Sequence, residues 1–183
     1  MIININSWPG VGKLSVAERL QQRIGGRLLD NHTIFNVAFS LCDFRSPEFY
    51  ETVRAVRQIA FTTAIKLPPS VPILLTNANA NTSFGRENWA AIKDMAKLRA
   101  SVLCNILLDC SIEENNRRLQ SPDRARMRKL IDPEALARSR EKAELLAEDG
   151  DHLLRLDVTE LMPEEAAHRI EEWLRKLGLL SNR

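Results

Sequence analysis

Nothing in this sequence is present in excess, and each shortage excludes something. Three cysteines occur, Cys42, Cys104 and Cys110, an odd number with no CxxC spacing. A disulfide framework and a cysteine metal site are therefore not expected, and a reducing, cytoplasmic setting is. No apolar run approaches the roughly 18 residues of a membrane-crossing helix. The opening "MIININ" has no basic segment and no long apolar core, so no signal peptide is expected. Neither sign of charge dominates. A net charge of +2 demands no nucleic acid and no acidic membrane as partner. No internal repeat, low-complexity tract or linker interrupts the 183 residues, so residues 1–183 are expected to form one domain.

Short apolar runs alternate with stretches of helical spacing. "IININ" (Ile2–Asn6) reads as a strand. "GRLLDN", ending at Asp30, "VPILLTN", "SVLCNILLDC" and "HLLRLD" read as four more. The fourth is the longest and is expected near the sheet centre, buried on both faces. The helix after Lys13 carries Ala17, Leu20 and Ile24 on one face and stops at Gly25 and Gly26. A short buried helix is expected in "HTIFNVAFSLCDF", a longer one from Pro47 to the Pro68-Pro69 stop, and another along "GRENWAAIKDMAKLRA". Ser111 with Glu114 reads as a capping box. Asp132 and Pro133 open a helix expected to run to about Glu148. Pro163, followed by Glu164 and Glu165, opens the last. This alternation predicts an α/β fold: three αβα layers around a five-stranded parallel sheet. Such sheets bind ligands beyond the carboxyl ends of their strands. The loops after Asn6, Leu29, Thr76, Asp109 and Leu156 therefore carry the functional expectations.

The first of these loops is "SWPGVGKLS". Gly10, Gly12 and Lys13 follow a strand and precede a helix. Glycines let backbone N–H groups turn inward on an anion. The helix aims its positive end at the same point, and the lysine neutralises the outer phosphates. Ser7, Gly10, Val11, Gly12, Lys13, Leu14 and Ser15 are the expected nucleotide-binding stretch. Two positions depart from the usual motif. Ser7 stands where a glycine usually leads, and Leu14 stands where a hydroxyl usually follows the lysine. Ser15, one place later, is the expected hydroxyl for a phosphate or for the metal shell. The plainer alternative is a glycine-rich turn without a ligand. A second cluster lies further on: of the 13 residues 117–129, six are basic. Such a run gains energy from a bridging anion, or else is a solvated surface.

With these motifs the chain resembles the small P-loop kinases, the group of nucleoside monophosphate, shikimate and gluconate kinases. Adenylate-kinase-like loops read P-G-x-G-K-G-T, and Pro9, Gly10, Gly12, Lys13 and Ser15 match that pattern. "NILLDCSIEENNRRL" followed by "RARMRKL" resembles the family's fourth strand, helix and arginine lid. "LLRLDVTELMPEE" resembles the ending of shikimate- and gluconate-kinase-like chains. The resemblance implies a P-loop NTPase fold with a short basic lid over about residues 120–131. It implies that Arg117 or Arg118 packs on an adenine. It implies that Arg124, Arg126 and Arg128 close over the phosphates, and that the turn from Asp157 borders the base.

On the acceptor side the resemblance implies that Asp30 orients the acceptor or holds magnesium waters. His32 then stands where some relatives carry a second acid, as a base or an acceptor ligand. Arg54 and Arg57, one turn apart, would hold an acidic acceptor group. From the residues alone, the plainer alternatives are Asp30 as a helix cap and the arginines as a solvent-facing pair. The third strand ends in "TNANANT" without an acid, which weakens a motor or switch reading. Asn77 and Asn79 are left to line an acceptor pocket. Trp8 either covers a neighbouring pocket or packs. Together these expectations describe an ATP- and Mg2+-dependent phosphotransferase acting on a small-molecule hydroxyl or phosphate acceptor. Lys13, Asp30 and Arg124 are its expected catalytic residues, and Ser15 and Asp30 flank the metal. The rivals are a nucleotide-binding module without catalysis and, against the near-neutral charge, a polynucleotide end kinase.

Overall fold

The structure, a computed structural model, describes residues 1–122, 124, 130–148 and 150–180. Its centre is β1 (Ile2–Asn6), a strand with every residue buried. Four more strands join it: β2 (Arg27–Leu29), β3 (Ile73–Asn77), β4 (Leu103–Asp109) and β5 (His152–Asp157). All pair in parallel in the order β2-β3-β1-β4-β5. The longest apolar run thus forms β4, beside β1 and interior to the sheet, as its composition predicts.

Alternation along the strands sorts the core into two halves. Ile3, Ile5, Leu74, Ile106 and Leu108 face α1 (Lys13–Ile24) and α7 (Pro163–Lys176). Val16, Ala17 and Leu20 of α1 meet Ala166, Ala167, Ile170 and Leu174 of α7 there. Arg23 crosses the rim of this seam to Glu171 at 2.6 Å and Glu164 at 2.7 Å. Such pairs add under about 1 kcal/mol when exposed. Burial of each large aliphatic adds about 1.5–3 kcal/mol and dominates. Ile2, Ile73, Leu75 and Leu103 face the other way. They are covered by α2 (Asn31–Leu41), α3 (Pro47–Ile65) and α4 (Ser83–Leu98). Two short helices, α5 (Ile112–Leu119) and α6 (Pro133–Lys142), complete those among the described residues.

That second face also carries polar residues. Asn4 donates to Asn105 at 2.8 Å and accepts from Asn77 at 2.7 Å. Asn88 of α4 donates to Asn77 at 3.0 Å and to Asn79 at 2.8 Å. Asn6 accepts the Asn79 N–H and donates to the Asn79 and Leu146 carbonyls. Amides survive burial only when paired, and here they pair largely with one another.

Two sequence expectations change. α6 ends at Lys142, not near Glu148. Although "EKAELLAE" favours helix, residues 144–146 run extended beside residues 79–81. Asn81 N–H donates to Glu144 O and Leu146 N–H to Asn79 O, each at 2.8 Å. Tertiary pairing overrides propensity, and Leu146 is buried in the core as a result. The capping box at Ser111 is half formed. Ser111 Oγ accepts the Glu114 N–H at 3.2 Å, but the Ser111 N–H donates to Thr159 Oγ1 at 2.9 Å. Glu114 turns to arginines instead.

The cysteines behave as buried apolar groups. Burial pushes the Cys104 thiol up to about 12 and raises that of Cys110. Cys42 is half-buried. At pH 8 a small alkylating reagent is therefore expected to label Cys42 first, and Cys104 only on unfolding. Peptide mass spectrometry with and without denaturant checks the order.

Candidate functional site

After Asn6 the chain turns through residues 7–12 into α1. Ser7 is fully buried; its N–H donates to Asn77 O at 3.2 Å and its hydroxyl to Trp8 O at 3.0 Å. It is not among the residues with positive φ, so the usual leading glycine is not needed here. Gly10 and Gly12 do occupy the left-handed region, at φ 94° and 108°. They serve different ends. A methyl on Gly10 would stand 2.4 Å from Asn115 Nδ2 and 2.9 Å from Leu119 Cγ, because the loop presses on α5. A methyl on Gly12 would meet only Arg118 Nη1, at 3.7 Å. Gly10 is required by packing, whereas at Gly12 an added carbon would make only an ordinary contact with Arg118 and the positive φ is what favours glycine.

α1 begins at Lys13 with no side-chain cap and no acid in its first turn. By contrast, α2 to α6 are capped by Asp30, Ser46, Thr82, Ser111 and Asp132. The half-exposed Gly12, at positive φ, adjoins the uncapped positive end of α1, with Lys13 and Leu14 half-exposed and Ser15 exposed beside them. This geometry fits a polyphosphate.

Of the two arginines ending α5, it is Arg118 that reaches the loop. Its guanidinium donates to Val11 O at 2.7 Å, Val158 O at 2.8 Å and Thr159 O at 3.2 Å. Arg117 points outward and pairs with Glu114 at 2.6 Å. Arg117, then Arg118, holds the Glu114 carboxyl down at about 2, so it stays ionised near neutrality and fixes Arg118. Asp157 accepts the Thr159 N–H at 2.7 Å, which closes the turn that Arg118 grips. Arg118→Ala is expected to strand these carbonyls and cost about 1–3 kcal/mol. Arg117→Ala should stay within about 0.5 kcal/mol. Urea unfolding of the two variants separates them.

Trp8 packs at the loop's outer edge, 9% exposed. Arg140 of α6 lies over its ring at 5.6 Å and donates to Asn115 Oδ1 at 2.7 Å. Asn115 in turn donates to Pro9 O at 3.0 Å. Arg124 donates to the Leu130 carbonyl at 2.8 and 3.1 Å, so its guanidinium serves its own segment. Arg126 and Arg128 lie outside the described residues.

Beyond the ends of β2 and β3 a cleft opens between α2, α3 and α4. Asn31, Arg57, Thr76, Asn77 and Asn88 supply its polar lining, and Leu29, Phe35, Val53 and Phe61 much of its apolar wall. The cleft is narrow, with side chains filling most of the space between its walls. Asp30 stands two strands from β1. It accepts a short hydrogen bond from Thr76 Oγ1 and caps α2 through the His32 N–H at 3.2 Å. His32 stacks on Phe39, with ring centroids 6.1 Å apart. Arg54 and Arg57 converge on Glu87: Arg54 donates twice to its carboxylate through Nε and once through Nη2, at 2.9–3.0 Å, and Arg57 once at 2.5 Å.

Sequence reasoning missed Glu87, Asn88, Asn115 and Arg140. All four lie on helices, and their roles arise from contacts 9 to 106 residues away along the chain. The helical period of α4 does show that Asn88 shares the buried face of Trp89 and Ile92, and a buried amide signals a polar network. No group of three His, Cys, Asp or Glu suited to a metal occurs among the described residues. No helix there is long and apolar enough to cross a membrane.

No protein-family model and no curated protein matches this chain. Solved structures do. The APS kinase of Mycobacterium tuberculosis, in complex with AMPPNP and APS, aligns with a TM-score of 0.62 at 17% identity, over 95% of this chain and 96% of its own. A gluconokinase of Sinorhizobium meliloti aligns at 0.59 and 13%, over 96% and 95%. The shikimate kinase of Aquifex aeolicus aligns at 0.55 and 16%, over 99% and 100%. The chain has the three-layer αβα fold of the small P-loop kinases. At these identities the likeness carries the fold alone.

Proposed function

We propose that this chain is an ATP-dependent phosphotransferase that moves the γ-phosphate of ATP to a small-molecule acceptor. The observation that carries the reading is the loop end of β1. A half-exposed, left-handed Gly12, an uncapped α1 and Lys13 meet there, at the carboxyl edge of a parallel sheet, with a second polar cleft beyond β3. ATP with Mg2+ supplies the transferable phosphoryl group.

The chain's own residues bind and orient. Gly12 and the first turn of α1 offer N–H groups to phosphate oxygens. Lys13 neutralises charge on the outer phosphates. Arg118 and Glu114 hold the loop rigid from behind, so its donors need no rearrangement on binding. Ser15 and Asp30 are the candidates to orient the metal's waters, since Mg2+ in such sites is held chiefly through phosphates and one or two oxygen ligands. Arg124, with Arg126 and Arg128 of the same segment, is the candidate clamp over the transferring group, and the turn at Asp157 is the candidate border of the base. Residues 1–183 act as one unit in this account.

The test is ATP consumption by the purified chain against a pool of small acceptors. Acceptor-stimulated turnover supports the reading. A second reading is a nucleotide-binding module without catalysis. It is favoured by Asp30, whose carboxylate already serves Thr76 and the α2 cap, and by the narrowness of the cleft. That reading expects ATP binding with no transfer to any acceptor.

A further inference from the structure

The loop between β1 and α1 is held from behind at two of its carbonyls, and each hold sets the direction of an N–H group in front. Asn115 Nδ2 donates to Pro9 O at 3.0 Å, and Arg118 Nη1 donates to Val11 O at 2.7 Å. Both donors belong to α5. Across a trans peptide the carbonyl and the following N–H point in opposite directions. No peptide among the described residues is cis. With the Pro9 carbonyl turned toward Asn115, the Gly10 N–H therefore points away from it. With the Val11 carbonyl turned toward Arg118, the Gly12 N–H does the same. The Val11 N–H between them is drawn back to Trp8 O, at 3.5 Å.

The two holds differ in what secures them. Arg118 is fixed by the Glu114 carboxylate at 2.6 Å. Asn115 is neutral and 1% exposed, and its amide has two faces of nearly the same shape. Turned over, it would set its oxygen against Pro9 O, where neither atom has a hydrogen to give. Arg140 selects the productive face: it donates to Asn115 Oδ1 at 2.7 Å, which leaves Nδ2 toward Pro9 O. The Arg140 guanidinium is itself placed over the Trp8 ring at 5.6 Å. The hold matters most at Gly10. Its φ of 94° lies where glycine is free, and glycine takes either sign of φ, so the Pro9–Gly10 peptide is the plane that turns when nothing anchors it.

We infer that Asn115, oriented by Arg140, is a positioning residue for polyphosphate binding, aiming the Gly10 N–H at the anion as Arg118 aims that of Gly12. The inference rests on the nucleotide-binding half of the phosphotransferase reading and deepens it. Asn115 touches the loop and not the ligand. Without it the Gly10 peptide must be ordered by the ligand itself, and binding weakens although the charge of the loop is unchanged.

The probe is inorganic tripolyphosphate, which needs the loop but no acceptor. Its affinity is measured by calorimetry for the native chain, Asn115→Leu, Arg140→Met and the double variant. The Gly10 and Gly12 amide signals are followed by NMR. Asn115→Leu keeps the shape of the side chain and the charge of the protein. In the native chain both amides should shift downfield on binding. Asn115→Leu should bind about 5-fold or more weakly, the scale of one lost hydrogen bond, with the Gly10 shift lost and the Gly12 shift kept. A merely structural role would move both shifts or neither. In the Asn115→Leu background, Arg140→Met should cost no more than about 2-fold, because the two residues act through one bond. Fully additive losses overturn the link from Arg140 and leave it acting by charge. Unchanged affinity, or weaker binding with the Gly10 shift intact, overturns the role of Asn115. Should Asn115→Leu fail to fold, Arg140→Met carries the same test, since it frees the amide: loss of the Gly10 shift alone supports the inference, and its retention overturns it. A native chain that binds no tripolyphosphate overturns the inference and the nucleotide reading together. The predicted pattern of shifts without phosphoryl transfer upholds the inference and marks the failure of the catalytic reading alone.

Discussion

Lys13→Ala is expected to lower phosphoryl transfer at least about 100-fold, the scale seen when one preorganised charge-stabilising group is removed. The reason is electrostatic. The loop's N–H groups and the end of α1 offer partial charges, whereas Lys13 offers a whole one at the point where the outer phosphates must lie. The fold should persist, because Lys13 is half-exposed at the first position of α1 and alanine is a good helix former. Unfolding free energy should change by less than about 1 kcal/mol. Steady-state turnover together with urea denaturation tests both halves. Loss of the fold with the activity would remove the electrostatic explanation.

Gly10→Ala should do the opposite: it should damage the fold around the loop first. The methyl would stand 2.4 Å from Asn115 Nδ2 and 2.9 Å from Leu119 Cγ, on a residue at φ 94°. The left-handed backbone costs about 1–2 kcal/mol for a residue with a Cβ, and overpacking about 1–3 more. A destabilisation of about 2–5 kcal/mol is expected. Gly178→Ala, just past the end of α7, is the control. Its φ is 69°, with nothing within 4 Å of the added carbon, so it should show the backbone cost alone. Equal effects in the two variants would mean that α5 does not press on the loop as described.

The contrast between these glycines shows what the sequence could and could not convey. The spacing of Gly10, Gly12 and Lys13 between a strand and a helix was legible, because that geometry is local. The five strands were legible too: burial on both faces leaves short apolar runs in β1, β3 and β4, and the half-buried edge strands β2 and β5 keep paired leucines. Ser7 departs from the motif's leading glycine, and its backbone does not enter the region that glycine favours. Long-range partners were not legible. Nothing in "NNRRL" distinguishes Arg118, which grips three carbonyls, from Arg117, which faces water. Nothing in "REN" announces that Glu87 takes both arginines of α3. The end of α6 was misread for the same reason: its residues favour helix, but the partners that draw residues 144–146 into an extended path lie more than 60 residues earlier.

The most direct test of the account follows the terminal phosphate itself. The purified chain is incubated with ATP labelled at the γ-phosphate, Mg2+ and a pool of small hydroxyl compounds, neutral and anionic, and the products are separated. The account predicts label in a new organic phosphate ester, formed by the native chain and not by Lys13→Ala. Stoichiometric ATP binding with all label remaining in ATP, whatever acceptor is supplied, would contradict it.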